Sequence, residues 1–237
     1  MGTKFSTRIW VSVVGIASIF FGSKGYADTV ISVADFGLKP DTRENAVAYV
    51  QKAIEACRGK EPVTLVFPEG RYDFWPQYAH EKNYYETNTY DVFPKRLAML
   101  FEGLHNITVD GSGSQFIMHD RIQPITVENC DGVTLKNFSI DWDIPLTAQA
   151  RVTKVGSDFF EIEINVLESP YIIEDGKLVF VGEGWKSALG SMIEFESDTH
   201  FVVPGTGDLV LGWNWGDYTA VSPRYGIVRL SRKGGFE

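Results

Sequence analysis

Residues 98–111, AMLFEGLHNITVDG, align without a gap on residues 124–137, PITVENCDGVTLKN, at an offset of 26 residues. The alignment matches Thr108 with Thr134, and it matches apolar residues at Met99/Ile125, Phe101/Val127, Leu104/Cys130, Ile107/Val133 and Val109/Leu135. A repeat of this length, made of short strand-like segments and turn residues, is typical of a solenoid whose β-coils stack on one another. The leucine-rich repeat is disfavoured because its leucine spacing is absent.

The sequence before the repeat predicts one helix between two strands. Residues 30–33 form a short apolar segment, and residues 63–67 form a nearly continuous apolar strand that ends at a Pro-Glu-Gly turn. Residues 45–58 carry apolar side chains on one helical face, and Gly59 follows them, as is common at a helix C-terminus.

The pattern changes after Pro145. Residues 160–166 alternate apolar and polar side chains, which is typical of a strand with one solvated face. A Gly-Ser-Asp turn at 156–158 predicts a hairpin with residues 150–155. Further strand-like segments lie at 178–181, 192–195 and 209–213. These segments predict a second module, a small antiparallel barrel or sandwich.

The first 27 residues have the pattern of a signal peptide. Lys4 and Arg8 precede an apolar run over residues 9–21, and small residues follow at Gly25 and Ala27. A membrane anchor is the alternative, but the run is short for a bilayer span and no second one follows it. We therefore expect a bacterial protein exported to the periplasm or the medium, with no integral membrane segment after cleavage. Removal of residues 1–27 changes the net charge from −9 to −12.

Composition excludes several classes of protein. With 44% hydrophobic and 22% charged residues, the chain is not a disordered tail, a coiled coil or collagen. A net charge of −9 repels phosphate backbones, so nucleic acid is not an expected partner. Cys57 and Cys130 are interpreted as ordinary buried thiols. The four histidines are scattered in the sequence, which predicts no metal site.

Several motifs resemble those of a known family. Residues 32–41, SVADFGLKPD, and 65–72, LVFPEGRY, resemble the start of pectin-lyase-like right-handed β-helix proteins. Three further stretches, 71–76 (RYDFWP), 110–117 (DGSGSQFI) and 135–145 (LKNFSIDWDIP), make the chain similar to glycoside hydrolase family 110, the bacterial exo-acting α-1,3-galactosidases. The resemblance runs from about residue 30 to the last residue.

The resemblance implies a mainly β fold. A right-handed parallel β-helix with an N-terminal capping helix is expected over residues 28–143. An inserted antiparallel β-barrel module is expected over 144–218, and the start of a return to the β-helix over 219–237. Fold alone does not select a chemistry, since lyases, polygalacturonases and phage tailspikes share it.

The resemblance also implies removal of terminal α-1,3-linked galactose by an inverting mechanism without a cofactor. Inversion needs two carboxyl groups about 6.5–9.5 Å apart across the sugar. The family's catalytic aspartates include an Asp-Asp pair in later coils, and this chain contains no such dipeptide. No catalytic residue is therefore assigned here; the family aspartates are expected beyond Glu237. The chain is expected to be an N-terminal part that is poorly soluble and inactive alone.

The best local candidates for sugar contact are Asp141, Trp142 and Asp143. In an extended segment the two carboxylates share one face, with the tryptophan opposite. The competing interpretation, which we favour, is that Trp142 packs at the junction of coil and barrel and that the acids are turn residues before Pro145. Galactose-terminated glycans are the expected partners, and the oligomeric state is left open.

Two other functions stay open. A non-catalytic carbohydrate-binding or adhesion β-helix is the runner-up, although the signal peptide argues against a phage origin. A pectin-active enzyme of the same fold is the third possibility. A chain of charge −12 after signal cleavage is poorly matched to a polyanionic substrate.

Overall fold

The computed structural model describes residues 29–84, 94–190, 192–204 and 218–232. Within these ranges the chain is mainly β, with one α-helix and one short 3-10 helix. The strands before residue 143 form the parallel region (residues 29–143): β1 Thr29–Ser32, β2 Val63–Val66, β3 Arg71–Phe74, β4 His80–Lys82, β5 Lys95–Glu102, β6 His105–Met118, β7 Gln123–Glu128 and β8 Asp131–Trp142. The strands after it form the antiparallel module (residues 150–232): β9 Ala150–Val155, β10 Phe159–Ile164, β11 Tyr171–Glu174, β12 Lys177–Gly182, β13 Trp185–Ala188, β14 Tyr218–Arg224 and β15 Ile227–Arg232.

Strands of the parallel region pair at the offset read from the sequence. β6 pairs in parallel with β2, β3 and β8, and β5 pairs in parallel with β7. Ile107 lies opposite Val133, and Met99 lies opposite Ile125. These are the partners that the 26-residue alignment matched. β1 extends the first sheet in parallel beside β2, whereas the short β4 runs antiparallel to β5.

The helix lies where its apolar face predicted it. A 3-10 turn at Val33–Phe36 precedes α1, which spans Val47–Cys57 and packs on β1, β2 and β5. The helix begins two residues later than expected because Asn45 pairs with Asp73 in an isolated parallel bridge. The Asn45 side chain then accepts from the Val47 N–H. At the other end, burial raises the pKa of Cys57 to about 11.

The Asp-Gly-Ser-Gly-Ser stretch forms a corner inside β6, in line with the turn that the sequence predicted. The register with β8 shifts between Asp110 and Ser114, and Ser112 has a φ of 51°. Asp110 Oδ1 accepts from the Ser112 N–H and from Asn137 Nδ2, which ties two neighbouring strands together. A Cβ on Gly111 would lie 2.6 Å from the Phe138 Cβ, so the corner requires glycine there.

Aromatic rings fill the interior of the parallel region. Phe116 lies at their centre, with its ring centroid 4.7 Å from those of Phe67 and Phe138 and 5.6 Å from that of Phe74. All but Phe138 are fully buried. Of the two cysteines, both of which are free, Cys57 is buried and Cys130 is half-buried.

The antiparallel module contains two sheets. One has the order β14-β15-β10-β9, and the other has the order β11-β12-β13. The predicted hairpin joins β9 to β10, where the Gly156 N–H donates to the Phe159 carbonyl. Between the sheets lies a small apolar core that includes Ile162, Leu178 and Leu230.

Three expectations for this module differ from the structure. The described strands form two open sheets and no closed barrel. Residues 219–232, expected to return to the coils, pair antiparallel with one another and with β10, so they belong to the module. Within 192–195 only Phe195 forms a bridge, to Val202, because that segment has no strand neighbour along its length. The expected strand at 209–213 lies outside the described residues.

In the described ranges, no helix has both the length and the apolar character needed to span a membrane.

Candidate functional site

Three residues that follow strand ends lie in adjacent positions of the parallel region. The His119 N–H donates to the Phe74 carbonyl, and the Asp143 N–H donates to the Met118 carbonyl. The parallel register therefore continues past β3, β6 and β8, and it aligns Trp75, His119 and Asp143. The rings of Trp75 and His119 stack with centroids 3.8 Å apart and planes 9° apart.

A buried carboxylate lies at the centre of this site. Asp73 is 1% exposed, accepts from the guanidinium of Arg71 and lies 2.8 Å from His119 Nε2. Burial by itself raises the pKa of a carboxyl group, but the hydrogen bonds from Arg71 and His119 outweigh it. They hold the pKa of Asp73 below its ordinary value. The hydrogen bond to Asp73 correspondingly raises the pKa of Arg71.

His119 lies between two carboxylates. Its Nε2 faces Asp73, and its Nδ1 lies 2.7 Å from an oxygen of Glu183 in the antiparallel module. A carboxylate only accepts hydrogen bonds, so the doubly protonated imidazolium alone donates to both neighbours. His119 is 3% exposed, whereas the side chain of Glu183 is one-third exposed. The histidine thus connects a buried charge to one at the edge of solvent.

The structure separates the roles of the three predicted sugar contacts. Asp143 lies 2.8 Å from Arg71 Nη2 and joins the charged cluster. Trp142 packs on the core of the parallel region, and its Nε1 donates to the Asp120 carbonyl. Asp141 is exposed and accepts from the Trp142 N–H. Sugar contact by Asp141, Trp142 and Asp143 remains a prediction.

The acidic cluster has the spacing of a metal site, but its centre is occupied by a guanidinium. Ligand atoms of Asp73, His119 and Asp143 lie within 4.8 Å of one another. Arg71 Nη2 contacts both carboxylates, at 2.5 and 2.8 Å. That positive charge neutralises the two acids and repels a cation. The cluster therefore fits an internal network of ion pairs better than a metal centre.

Three consecutive residues of the parallel region face three of the antiparallel module. His119 bonds to Glu183, a Cβ on Gly184 would lie 2.6 Å from Asp120 Oδ2, and Arg121 lies over the ring of Trp185. We call this contact the junction (residues 119–121 and 183–185). It fixes the second module against the ends of β3 and β6.

A cleft of about 470 Å³ opens beside the junction. It is lined by the loop 75–79, by Glu81 and Arg96 from β4 and β5, and by Asp120, Glu183 and Gly184 from the junction. Sequence reasoning missed this site because its members come from five separated segments. The one local signal was the Arg-Tyr-Asp alternation at 71–73, which places the charges of Arg71 and Asp73 on one face of β3.

The remaining aromatic candidates lie elsewhere. The Tyr84 hydroxyl contacts Glu128, on the sheet that contains β7. That hydrogen bond raises the pKa of Tyr84. Tyr85 and the Trp-Asn-Trp stretch at 213–215 lie outside the described residues.

Residues 148–236 match the model of a domain family, GLAA-B beta-barrel domain I. This range contains all of the antiparallel module, including the segment 218–232 that pairs with β10. The family model thus agrees with the strand pairing on where the second module lies.

Curated relatives match a larger part of the chain. It is 58% identical over 205 residues to an alpha-1,3-galactosidase B of Bacteroides thetaiotaomicron, which covers 86% of this chain and 33% of that protein. It is 36% identical over 205 residues to an alpha-1,3-galactosidase B of Phocaeicola vulgatus, covering 85% and 32%. It is 35% identical over 169 residues to an alpha-1,3-galactosidase A of Shewanella woodyi, covering 70% and 28%.

The chain is therefore a homologue of part of an alpha-1,3-galactosidase, and the resemblance indicated by the sequence motifs is confirmed. It spans about a third of the length of the curated relatives that it matches.

Proposed function

We propose that this chain is part of a galactosidase-type glycoside hydrolase that removes terminal α-1,3-linked galactose from glycans. The observation that carries the proposal is the 58% identity over 205 residues to a protein named as an alpha-1,3-galactosidase. The same relation holds at lower identity for relatives from other bacteria. No cofactor is needed in the proposed reaction.

We infer that the parallel region forms the first coils of a right-handed parallel β-helix. The stacking of β2, β6 and β8 in one parallel register supports this fold, as does the helix packed beside β1 and β2. We propose in the same way that the antiparallel module completes a barrel with residues outside the described ranges. The family model that matches residues 148–236 supports that part of the proposal.

The proposed mechanism is inverting, with its acid and base outside the described residues. An inverting pair needs a separation of about 6.5–9.5 Å to accommodate the attacking water. Asp73 and Asp143 approach to within 4.8 Å, and Arg71 bridges them. The pair is too close and is already neutralised. Its role in the proposal is to hold the ends of β3 and β8 together.

A segment exchange tests the proposed function. Residues 29–232 of this chain replace the matching segment of the Bacteroides thetaiotaomicron relative, and galactose release from galactose-α-1,3-galactose is measured. We expect the exchanged protein to release galactose, with the β-anomer appearing first in the proton NMR spectrum. A folded exchange protein that releases none would contradict the proposal, and initial α-anomer would contradict inversion.

The 237-residue chain by itself is the second arm of this experiment. We expect it to release no galactose, because the proposed acid and base are not among its described residues. Release by this chain would place the catalytic pair inside it and would overturn that part of the mechanism.

We also propose that residues 1–27 direct export in a bacterium and are then removed. The basic start, the apolar run and the small residues at Gly25 and Ala27 support this. Expression of the full sequence in a Gram-negative host, followed by N-terminal sequencing of the periplasmic protein, tests it. A mature terminus near residue 28 is expected, and an uncleaved cytoplasmic product would contradict the proposal.

A further inference from the structure

The loop 75–79 on one wall of the cleft is held in place by side chains of the helix and of the segment before it. Asn45 Nδ2 donates to the Gln77 carbonyl at 2.9 Å, and Gln51 Nε2 donates to the Tyr78 carbonyl at 2.7 Å. Inside the loop, the Ala79 N–H donates to the Pro76 carbonyl. These bonds fix the loop before any ligand arrives, which lowers the entropic cost of binding.

Tyr78 is an unusual residue in this loop. Its φ is 68°, in the left-handed region that bulky residues rarely adopt, and it is 75% exposed. Strained backbone of this kind persists where the surroundings enforce it, and it is concentrated at functional sites. Here the bond from Gln51 enforces it. The result is a large aromatic side chain left in solvent on the wall of a cleft.

The polar groups of the cleft have a clear charge balance. Of the described residues that line it, Glu81, Asp120 and Glu183 carry carboxylates and Arg96 carries the single guanidinium. Arg96 also pairs with Glu81, at 3.4 Å. The cleft therefore has an excess of negative charge, which disfavours uronates, sialic acids and phosphates. Carboxylates only accept hydrogen bonds, so they suit a ligand rich in hydroxyl donors.

We propose that this cleft binds a neutral pyranose sugar. The Tyr78 ring supplies a stacking surface for the apolar face of the sugar, and the carboxylates of Glu81, Asp120 and Glu183 accept from its hydroxyls. A volume of about 470 Å³ is within the usual range for small-molecule sites and accommodates one or two sugar rings.

The cleft forms only when the two regions are docked, since both contribute to its lining. Glu183 is held by His119, and the backbone of Asp120 is held by Trp142 Nε1. In this way Trp142, a predicted sugar contact, supports the cleft from behind. The proposal needs no bond cleavage, so it goes beyond the proposed hydrolase activity; only galactose as first probe rests on that function.

The test measures sugar binding by the purified chain with saturation-transfer NMR and fluorescence titration. The probes are methyl α-galactopyranoside, methyl α-glucopyranoside and galacturonate. We expect saturable binding of at least one neutral glycoside, and binding of galacturonate at least about tenfold weaker because of like-charge repulsion. Binding of the glucoside alone supports the cleft but argues against the proposed galactosidase. Equal binding of galacturonate would overturn the proposal.

Two variants locate the binding. Tyr78→Ala should weaken the neutral glycoside about fivefold or more, from the loss of one stacking contact. Tyr225→Ala, which removes a tyrosine that is 84% exposed on the turn between β14 and β15, should leave binding within about twofold of the original chain. Glu81→Gln, at a half-exposed side chain, should also weaken binding, because an acceptor loses its charge.

Near-ultraviolet circular dichroism shows whether each variant remains folded. Absence of saturable binding of either neutral glycoside would overturn the proposal, while galactose release in the segment exchange would still stand. Folded Tyr78→Ala and Glu81→Gln chains that bind as well as the original would also overturn it, because the sugar would then lie elsewhere.

Discussion

The parallel region and the antiparallel module use β-strands in different ways. In the parallel region, rows of apolar residues from stacked strands face one interior, and rings such as Phe67 and Phe116 are fully buried. In the antiparallel module, β10 alternates buried Ile162 and Ile164 with more exposed glutamates, and β9 is exposed along its whole length. A deep core therefore belongs to the parallel region, whereas the module combines a shallow core with paired charges at its surface.

The difference also decides where charge is buried. Arg71, Asp73 and His119 lie at the ends of deep strands, where a network of hydrogen bonds compensates their burial. In the module, pairs such as Lys186 with Glu174 lie in solvent. The comparison predicts a graded series of mutational effects, largest in the interior of the parallel region and smallest on the surface of the module.

The largest effect is expected for Phe116→Ala. The ring lies between Phe67, Phe74 and Phe138, so its removal leaves a cavity that stacked strands cannot close. We expect a loss of about 4 kcal/mol in the free energy of unfolding, measured by urea denaturation. Phe201→Ala, at a residue 74% exposed, is the matched control and should change it by less than about 0.5 kcal/mol. Equal losses would contradict the contrast between interior and surface.

The next effect is expected for Asp73→Asn. Loss of the carboxylate leaves the charges of Arg71 and His119 without their buried partner, and we expect a cost of about 3 kcal/mol at neutral pH. The exposed Asp141→Asn provides the control and should have little effect. A cost below about 1 kcal/mol would mean that the buried network does not stabilise the ends of β3 and β6.

The cost of Asp73→Asn should also depend on pH. Because the pKa of folded Asp73 is below its unfolded value, the carboxylate stabilises the fold fully above the unfolded pKa of about 4. This stabilisation disappears as the pH falls through the folded pKa. The gap between the original chain and the variant should therefore narrow below about pH 4. A gap that widens on acidification would give the shift the opposite sign.

A smaller effect is expected for Leu230→Ala in the antiparallel module. Leu230 is fully buried, but the core around it is small, so we expect about 2 kcal/mol. Hydrogen exchange should show faster exchange in β10 and β15 and unchanged protection in β6 and β8. Loss of protection in both regions together would show that they unfold as one unit and would remove the distinction between them.

The smallest effect is expected for Glu183→Gln at the junction. The change weakens one charge-assisted bond to His119 at a partly exposed site, so we expect about 1 kcal/mol or less. Exchange should increase at β12 and β13 next to the junction. Lys186→Ala, which removes a surface ion pair of the same sheet, is the control and should cost less than about 0.5 kcal/mol. An unchanged exchange rate in Glu183→Gln would show that the bond does not hold the module.

Local patterns in the sequence predicted much of the parallel region. The 26-residue offset appears as the pairing of Ile107 with Val133, and the apolar face of α1 is buried as expected. Such features depend on neighbours in sequence or on a regular repeat. The extent of the second module was missed because the pairing of β15 with β10 joins residues far apart in the chain.

The candidate site was predicted only in part. Asp143 was singled out from its spacing, but its partner Arg71 comes from a strand far earlier in the chain. The bond between His119 and Glu183 depends on how two regions dock, which no local pattern encodes. Trp142 packs inward, in agreement with the interpretation favoured from the sequence.

The stacking of strands at an offset of 26 residues underlies both the site and the cleft, and a disulfide cross-link tests it most directly. Thr108→Cys and Thr134→Cys are combined with Cys130→Ser, since Thr108 and Thr134 face each other across β6 and β8. Neighbouring strands are about 4.8 Å apart, within the range that a disulfide spans. We predict rapid cross-linking on mild oxidation for this pair and slow cross-linking for Thr108→Cys with Lys136→Cys. Preferential cross-linking of the second pair would contradict the register and, with it, the assembly of the site.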